Sequence, residues 1–287
     1  MSQASDAHEK QIEYWNGEGG TLWRARADKT DVMLAPVLAA TLESAAPRAN
    51  ETVVDIGCGC GASTLALAGK VASDGRVLGL DVSAPMLALA RERAAGTPNA
   101  SFALADAAIH PFAAQAADLV FSRFGVMFFG DPTAAFANLR RALKPTGRLA
   151  FCCWRAPDEN DWMRVPLRAV YAHVPRLPKP GPEDPGPFSF ASPDRVTRIL
   201  TGAGFRPPCM TPLDLMLDIS GGGGLEEAVA DASRVGPASV ALSGQPDDVR
   251  EAAIAEIRKA LAPHAGPDGV RLKGAMWIVE TTPGAAA

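Results

Sequence analysis

The residues best suited to chemistry lie in one short stretch, Val53-Val54-Asp55-Ile56-Gly57-Cys58-Gly59-Cys60-Gly61, where an apolar run carrying an acid breaks into alternating glycines before a helix-forming segment over 62–72. Glycines at 57, 59 and 61 tolerate backbone torsions that a Cβ forbids, and they let a ligand approach the main chain. The helix behind them presents unpaired N–H groups and the positive end of its dipole, which suits a polar or anionic part of a nucleotide-like ligand. The spacing Asp-x-Gly-x-Gly-x-Gly differs from the dinucleotide fingerprint Gly-x-Gly-x-x-Gly. A second apolar run, Val77-Leu78-Gly79-Leu80, ends in Asp81. A carboxylate at the end of a second strand can accept hydrogen bonds from both hydroxyls of a ribose.

The pairing of this glycine motif with Asp81 resembles the class I S-adenosylmethionine-dependent methyltransferases. The resemblance implies a Rossmann-like α/β fold with a seven-stranded, mostly parallel sheet whose last strand is antiparallel. It also implies S-adenosyl-L-methionine as cofactor and S-adenosyl-L-homocysteine as product. Carried onto this sequence, it assigns Asp55, Gly57, Cys58, Gly59 and Gly61 to the donor turn, Asp81 with Val82 and Met86 to the ribose side, and Asp106 with Ala107 to the adenine. A carboxylate after strand three accepts from the exocyclic amino group, which gives Asp106 its chemical reason. The segment Ser122-Arg123-Phe124-Gly125-Val126-Met127-Phe128-Phe129 is similar to the post-strand-four segment of bacterial ubiquinone/menaquinone-biosynthesis C-methyltransferases. There Ser122 and Arg123 join the cofactor set, Arg123 offering its planar fork to the donor carboxylate or to a substrate anion. Lys144-Pro145-Thr146-Gly147 resembles the family's Lys/Arg-Pro-Gly-Gly turn, with Thr146 in place of the first glycine. Specific motifs cover about 51–154, and the remainder follows the family by order of elements.

Candidates for the acceptor side are aromatic. Tyr14, Trp15 and Trp23 surround a glycine-rich stretch over 16–20, read as flexible, in a chain with only two tyrosines and five tryptophans. These rings either anchor an amino-terminal arm on the core or fold over the ligand. Phe124 and Phe128 make the loop after strand four too apolar to be fully solvated, and Trp154 and Tyr171 extend the substrate set. His110, on the loop after strand three, is the best placed of four histidines for a general base, and Tyr14 is a second catalytic candidate. The expected acceptor is a small apolar or aromatic molecule, with oxygen, nitrogen and carbon all open as the methylated atom.

Periodicity places these groups on regular elements. A helix is expected over 31–46, strands over 52–56, 76–81, 100–103, 117–122 and 148–154, and helices over 62–72, 84–95 and 131–143, with Ser83 as a cap for the second of these. Such alternation implies a parallel sheet with ligands at the carboxyl ends of its strands. The expected organisation is an arm over 1–50, a donor-binding core over 51–155, lid insertions over 156–192 and 218–269, and the rest of the sheet over 193–217 and 270–287. The resemblance assigns strand six to the extended segment from Phe205; a helix is expected over 192–203, helices over 225–234 and 246–261, a last strand over 270–280, and a frayed tail over 281–287. The proline-rich run over 175–187 suits a cover better than a strand.

Composition narrows the class. The 287 residues are 47% hydrophobic and 21% charged, enough for a large core. A net charge of −4 without a basic run disfavours nucleic acid partners. No secretory signal and no apolar segment near 20 residues long is evident, so a cytoplasmic protein without a membrane span is expected, as monomer or homodimer. The five cysteines fit reduced thiols, and no metal site is expected. Competing readings are a catalytically silent adenosylmethionine-binding module, an enzyme using that cofactor for other chemistry, and a nicotinamide-dependent oxidoreductase. The last is disfavoured by the glycine spacing and by the lack of a Tyr-x-x-x-Lys pair.

Overall fold

The computed structural model describes residues 3–179, 181 and 184–285. Three helices open the chain, α1 (Gln3–Asn16), α2 (Glu18–Ala25) and α3 (Ala27–Ala45). A regular alternation follows: β1 (Thr52–Ile56), α4 (Ala62–Val71), β2 (Arg76–Asp81), α5 (Ala84–Arg93), β3 (Ala100–Leu104), β4 (Ala117–Arg123), α6 (Pro132–Ala142) and β5 (Leu143–Trp154). Beyond it lie α7 (Asp161–Val170), α8 (Pro193–Gly202), β6 (Cys209–Asp218), α9 (Leu225–Arg234), α10 (Pro237–Leu242), α11 (Asp247–Leu261), β7 (Ala265–Gly266) and β8 (Gly269–Thr281).

The strands line up as β3-β2-β1-β4-β5-β8-β6, with the two-residue β7 pairing onto β8. The pairs from β3 to β5 are parallel, and β8 runs antiparallel to both its neighbours. The chain leaves from β1 in one direction and returns to β4 on its other side, so a crevice opens at the carboxyl ends of β1 and β4. Strand β1 is nearly all buried, as a central strand covered on both faces must be. Beneath the crevice Phe136 packs on Phe151 and Phe190 at centroid distances of 5.7 and 6.0 Å. Burial of each such ring is worth about 1.5–3 kcal/mol, enough to hold the strand ends rigid.

Several expectations are corrected. Residues 16–20 are not a flexible link, because only Gly17 interrupts the helices. Gly19 and Gly20 sit buried inside α2, and a Cβ at Gly20 would overlap the Trp15 carbonyl oxygen and Ser83 Oγ. The glycines there serve close packing. Ser83 holds the N-cap position of α5 as expected, but its side chain makes no cap bond: its hydroxyl donates to the Trp15 carbonyl at 2.6 Å. Asn16 supplies a bond instead, its Oδ1 accepting from Ala84 N at 3.1 Å while its Nδ2 donates to the Val82 carbonyl at 2.7 Å. Strand six begins at Cys209 and not at Phe205, which makes a single bridge to Pro283. Pro207 and Pro208 lack the donors a ladder needs. Residues 144–147 lie within β5, at a register slip against β4.

The tail is tied down as far as Gly284, whose N–H reaches the Gly204 carbonyl at 2.9 Å. Residues 180, 182 and 183 of the proline-rich run, 286 and 287 of the tail, and 1 and 2 lie outside the described residues. No described helix is long and apolar enough to cross a membrane.

Candidate active site

At the end of β1 the chain enters the turn with Gly57, Gly59 and Gly61 all at positive φ, between 55° and 87°. The N–H groups of Gly57 and Cys58 both donate to the Leu80 carbonyl, at 2.8 and 3.1 Å, which ties the turn to the end of β2. Gly57 also touches the loop after β4, since a Cβ there would stand 2.6 Å from Gly125 Cα. Ser122 secures this contact: its hydroxyl donates to the Ile56 carbonyl at 2.7 Å and accepts from Gly125 N at 3.1 Å. Fully buried, Ser122 joins two loops and lies outside the cavity lining.

Asp55 also lies behind the turn. Its Oδ2 accepts from the hydroxyls of Ser63 and Thr64, at 2.6 and 2.7 Å, so it fixes the first turn of α4. Burial pushes its carboxyl up to about 6, against the opposing pull of those two hydroxyls and of Arg123. Asp81, by contrast, lines the cavity. Its Oδ2 accepts from Gly59 N at 2.7 Å and its Oδ1 from Ser83 N at 2.8 Å. Burial raises its pKa despite these backbone donors. Val82, Met86, Asp106 and Ala107 line the same end. Asp106 Oδ1 accepts from Ala108 N at 2.9 Å.

The cavity measures about 550 Å³, within the range of small-molecule sites. Gly57, Cys58 and Gly59 line it, whereas Gly61 stands outside the lining at the start of α4, against Ala90 and Phe102. Cys58 and Cys60 line the cavity, but the Cys58 sulfur lies toward Gly79 and neither thiol is activated: burial raises both, Cys60 to about 11. Arg123 reaches in from the end of β4 with its side chain 12% exposed, and its Nη2 is 3.6 Å from Asp31 Oδ1. Its Nη1 is buried without a hydrogen-bond partner among the described residues. Asp31 is in turn held by Arg93 at 2.9 Å.

Aromatic rings make the opposite wall. Phe124 stacks on Trp154 at 4.2 Å with planes 9° apart, and Trp154 meets Trp162 at 4.8 Å. Phe124 has φ of 65°, a strained conformation for a bulky residue and the kind found where a site imposes its geometry. Trp15 packs edge-on against Phe128 at 5.4 Å and lies 6.2 Å from Trp23. Tyr14 lines the mouth, half exposed, its phenol raised by burial and then by Glu18.

Besides Asp55, Gly61 and Ser122, two more expected residues lie outside the lining. His110 lies outside the lining, with its ring edge-on to Phe112 at 4.7 Å and its carbonyl taken by Asn138 Nδ2 at 2.9 Å. The loop after β3 turns its carboxylate inward and its imidazole away. Tyr171 also lies outside, its hydroxyl accepting from Leu177 N at 3.3 Å beneath the Arg176 guanidinium. It braces the segment after α7.

Sequence reasoning missed Arg26, Thr30, Asp31, Trp162, Met163, Ile219 and Asp231, all of which line the cavity. Trp162 carried a signal, as one of only five tryptophans. Asp231 carried none, being one acid on an amphipathic helix.

Residues 53–147 match the family described as a methyltransferase domain. Over 175 residues the chain is 30% identical to the demethylmenaquinone methyltransferase of Corynebacterium kroppenstedtii, covering 58% of this chain and 73% of that one. It is 32% identical over 186 residues to the nocamycin O-methyltransferase of Saccharothrix syringae, covering 59% and 64%. The chain spans about half the length of several other curated relatives it matches. The fold resembles that of phosphoethanolamine N-methyltransferase 2 of Haemonchus contortus, with a TM-score of 0.56 and 16% identity over 99% of this chain and 61% of that one. The chain belongs to the S-adenosylmethionine-dependent methyltransferases.

Proposed function

We propose that this protein transfers a methyl group from S-adenosylmethionine to a small apolar or aromatic molecule. The observation that carries the donor half is the Asp81 carboxylate, set at the end of β2 beside the glycine turn at the sheet's crevice. The donor supplies an electrophilic methyl carbon on a sulfonium. Asp81 would accept from its ribose hydroxyls and Asp106 from its adenine amino group, with Val82, Met86 and Ala107 lining the same end of the cavity. The unpartnered Nη1 of Arg123 fits a carboxylate, which supports its assignment to the methionine end. Cys58 and Gly59 let the backbone approach the ligand.

The aromatic wall supports an apolar acceptor. Phe124, Trp154 and Trp162 offer flat faces, and the two insertions supply Met163, Pro166, Ile219 and Val235 to the lining, which supports their assignment as a lid. Holding donor and acceptor in register and excluding water is worth up to about 7–11 kcal/mol. Among the described residues no histidine lines the cavity, so the site suits an acceptor that is nucleophilic as bound. Tyr14, whose raised pKa keeps it protonated at neutral pH, can donate a hydrogen bond to orient that acceptor.

Calorimetric titration with S-adenosylmethionine, S-adenosylhomocysteine and NAD tests the proposal. Both adenosyl compounds should bind and NAD should not, and Asp81→Ala should weaken S-adenosylhomocysteine by about tenfold or more, the loss of charge-assisted hydrogen bonds. Binding of NAD alone, or unchanged affinity in the variant, would overturn it.

A further inference from the structure

Within the acceptor part of the cavity the polar groups come from the junction of α2 and α3 and from α9. Arg26 joins the two arm helices, and Thr30 follows one turn later, its N–H donating to the Arg26 carbonyl at 2.9 Å. Arg26 Nη2 is held by Asp231 Oδ2 at 3.1 Å, with both side chains 14% exposed. Lys29 approaches the other oxygen of Asp231 at 3.6 Å. The guanidinium lies over the Trp23 ring at 5.6 Å, which fixes it from a second side.

Two atoms of this cluster are left over. Arg26 Nε and Thr30 Oγ1 are buried with no hydrogen-bond partner among the described residues. Both residues line the cavity. One is an obligate donor and the other can donate, so acceptor oxygens on a ligand would satisfy them. Lys29 is shared between Asp231 and Glu227, which leaves the Arg26 guanidinium with a donor to spare, and its charge favours an anionic oxygen. The surroundings, Trp15, Trp23, Phe128 and Val235, are apolar.

We infer that Arg26 and Thr30 form an oxyanion subsite for the methyl acceptor, with Asp231 as the residue that positions the guanidinium. The acceptor it fits is an apolar ring system carrying a carboxylate or an ionisable hydroxyl, anchored through that oxygen against the aromatic wall. The inference rests on the methyl-transfer proposal, because it takes the ligand of this half to be the acceptor.

The test uses the full chain saturated with S-adenosylhomocysteine and follows tryptophan quenching by 2-naphthoate, 2-naphthol and 2-methylnaphthalene. The naphthoate, the naphthol or both should bind at least about tenfold more tightly than the hydrocarbon, and the tighter of the two identifies the source of the oxygen. Arg26→Gln and Thr30→Val should each reduce that preference to about twofold or less while the hydrocarbon still binds as before. Asp231→Asn should lower the same ratio without lowering hydrocarbon affinity, a result that loss of packing would not give. Thr30→Val exchanges the hydroxyl for a methyl of similar size, so it decides the matter if the arginine variant fails to fold. Equal binding of all three probes, binding of none, or a preference that survives both substitutions would overturn the inference. Failure of the donor site shows separately as absent S-adenosylhomocysteine binding, and the probe ratio can then be measured on the ligand-free protein.

Discussion

The two halves of the cavity are built in different ways. The half proposed for the donor is made of backbone turns and carboxylates at the ends of β1, β2 and β3, all within about fifty residues of chain. The half proposed for the acceptor is made of side chains brought from the arm, the loop after β4, α7 and the α9–α10 elbow. One half follows from a local pattern that a strand–turn–helix must satisfy. The other exists only once distant segments have packed, so it can change its ligand without disturbing the first.

Substitutions can break this division or sharpen it. The largest effect is expected from Gly57→Ala, which adds a Cβ at positive φ against Gly125. Strain and overpacking together should remove about 2–5 kcal/mol in urea unfolding, with loss of S-adenosylhomocysteine binding. Normal stability would show that the two loops are not in contact.

Asp55 predicts a pH effect confined to the donor side. Its carboxyl is raised from 3.8 to about 6 in the folded protein. The native state therefore keeps a proton that the unfolded chain has released in this window. Stability should fall as pH rises from about 4 to about 6 and then level off, a change of a few kcal/mol at most. Asp81, also raised by burial, adds in the same direction. Asp55→Asn keeps an acceptor for Ser63 and Thr64 and should flatten that decline. A slope unchanged in the variant would place the titration elsewhere.

On the acceptor side, Trp162→Ala should weaken aromatic probes by about three- to tenfold, the worth of one ring pair, and leave S-adenosylhomocysteine affinity unchanged. A matching loss of donor affinity would show that the halves are not separable. The smallest effects are expected at two of the residues that fall outside the lining. His110→Ala and Tyr171→Phe should leave turnover within about twofold of the parent, the range of ordinary surface and bracing substitutions. A large drop for His110→Ala would restore it as a base.

The same division explains what could be read from the sequence. The sheet, the glycine turn and Asp81 were legible because each is a short pattern with a steric or hydrogen-bonding reason. Strand six was misplaced because Phe205 looks like the start of an extended apolar run, and only the two prolines after it delay the ladder. Asp55 and Ser122 belong to the motif, yet they lie one layer behind the lining, and sequence spacing does not distinguish touching a ligand from supporting what touches it. Arg26, Thr30 and Asp231 were invisible because their meaning lies in a contact between residues about two hundred positions apart.

Asn16 links the arm to the donor half. Its side chain grips Val82 and Ala84, the residues on either side of Ser83, whose N–H holds Asp81. Docking of the arm and the geometry of the ribose carboxylate are thus one equilibrium. Whatever factor arm docking adds to donor affinity, the donor must return to arm docking. Because the arm also carries Trp15, Trp23 and Arg26, a bound donor would favour the walls that the proposed acceptor meets.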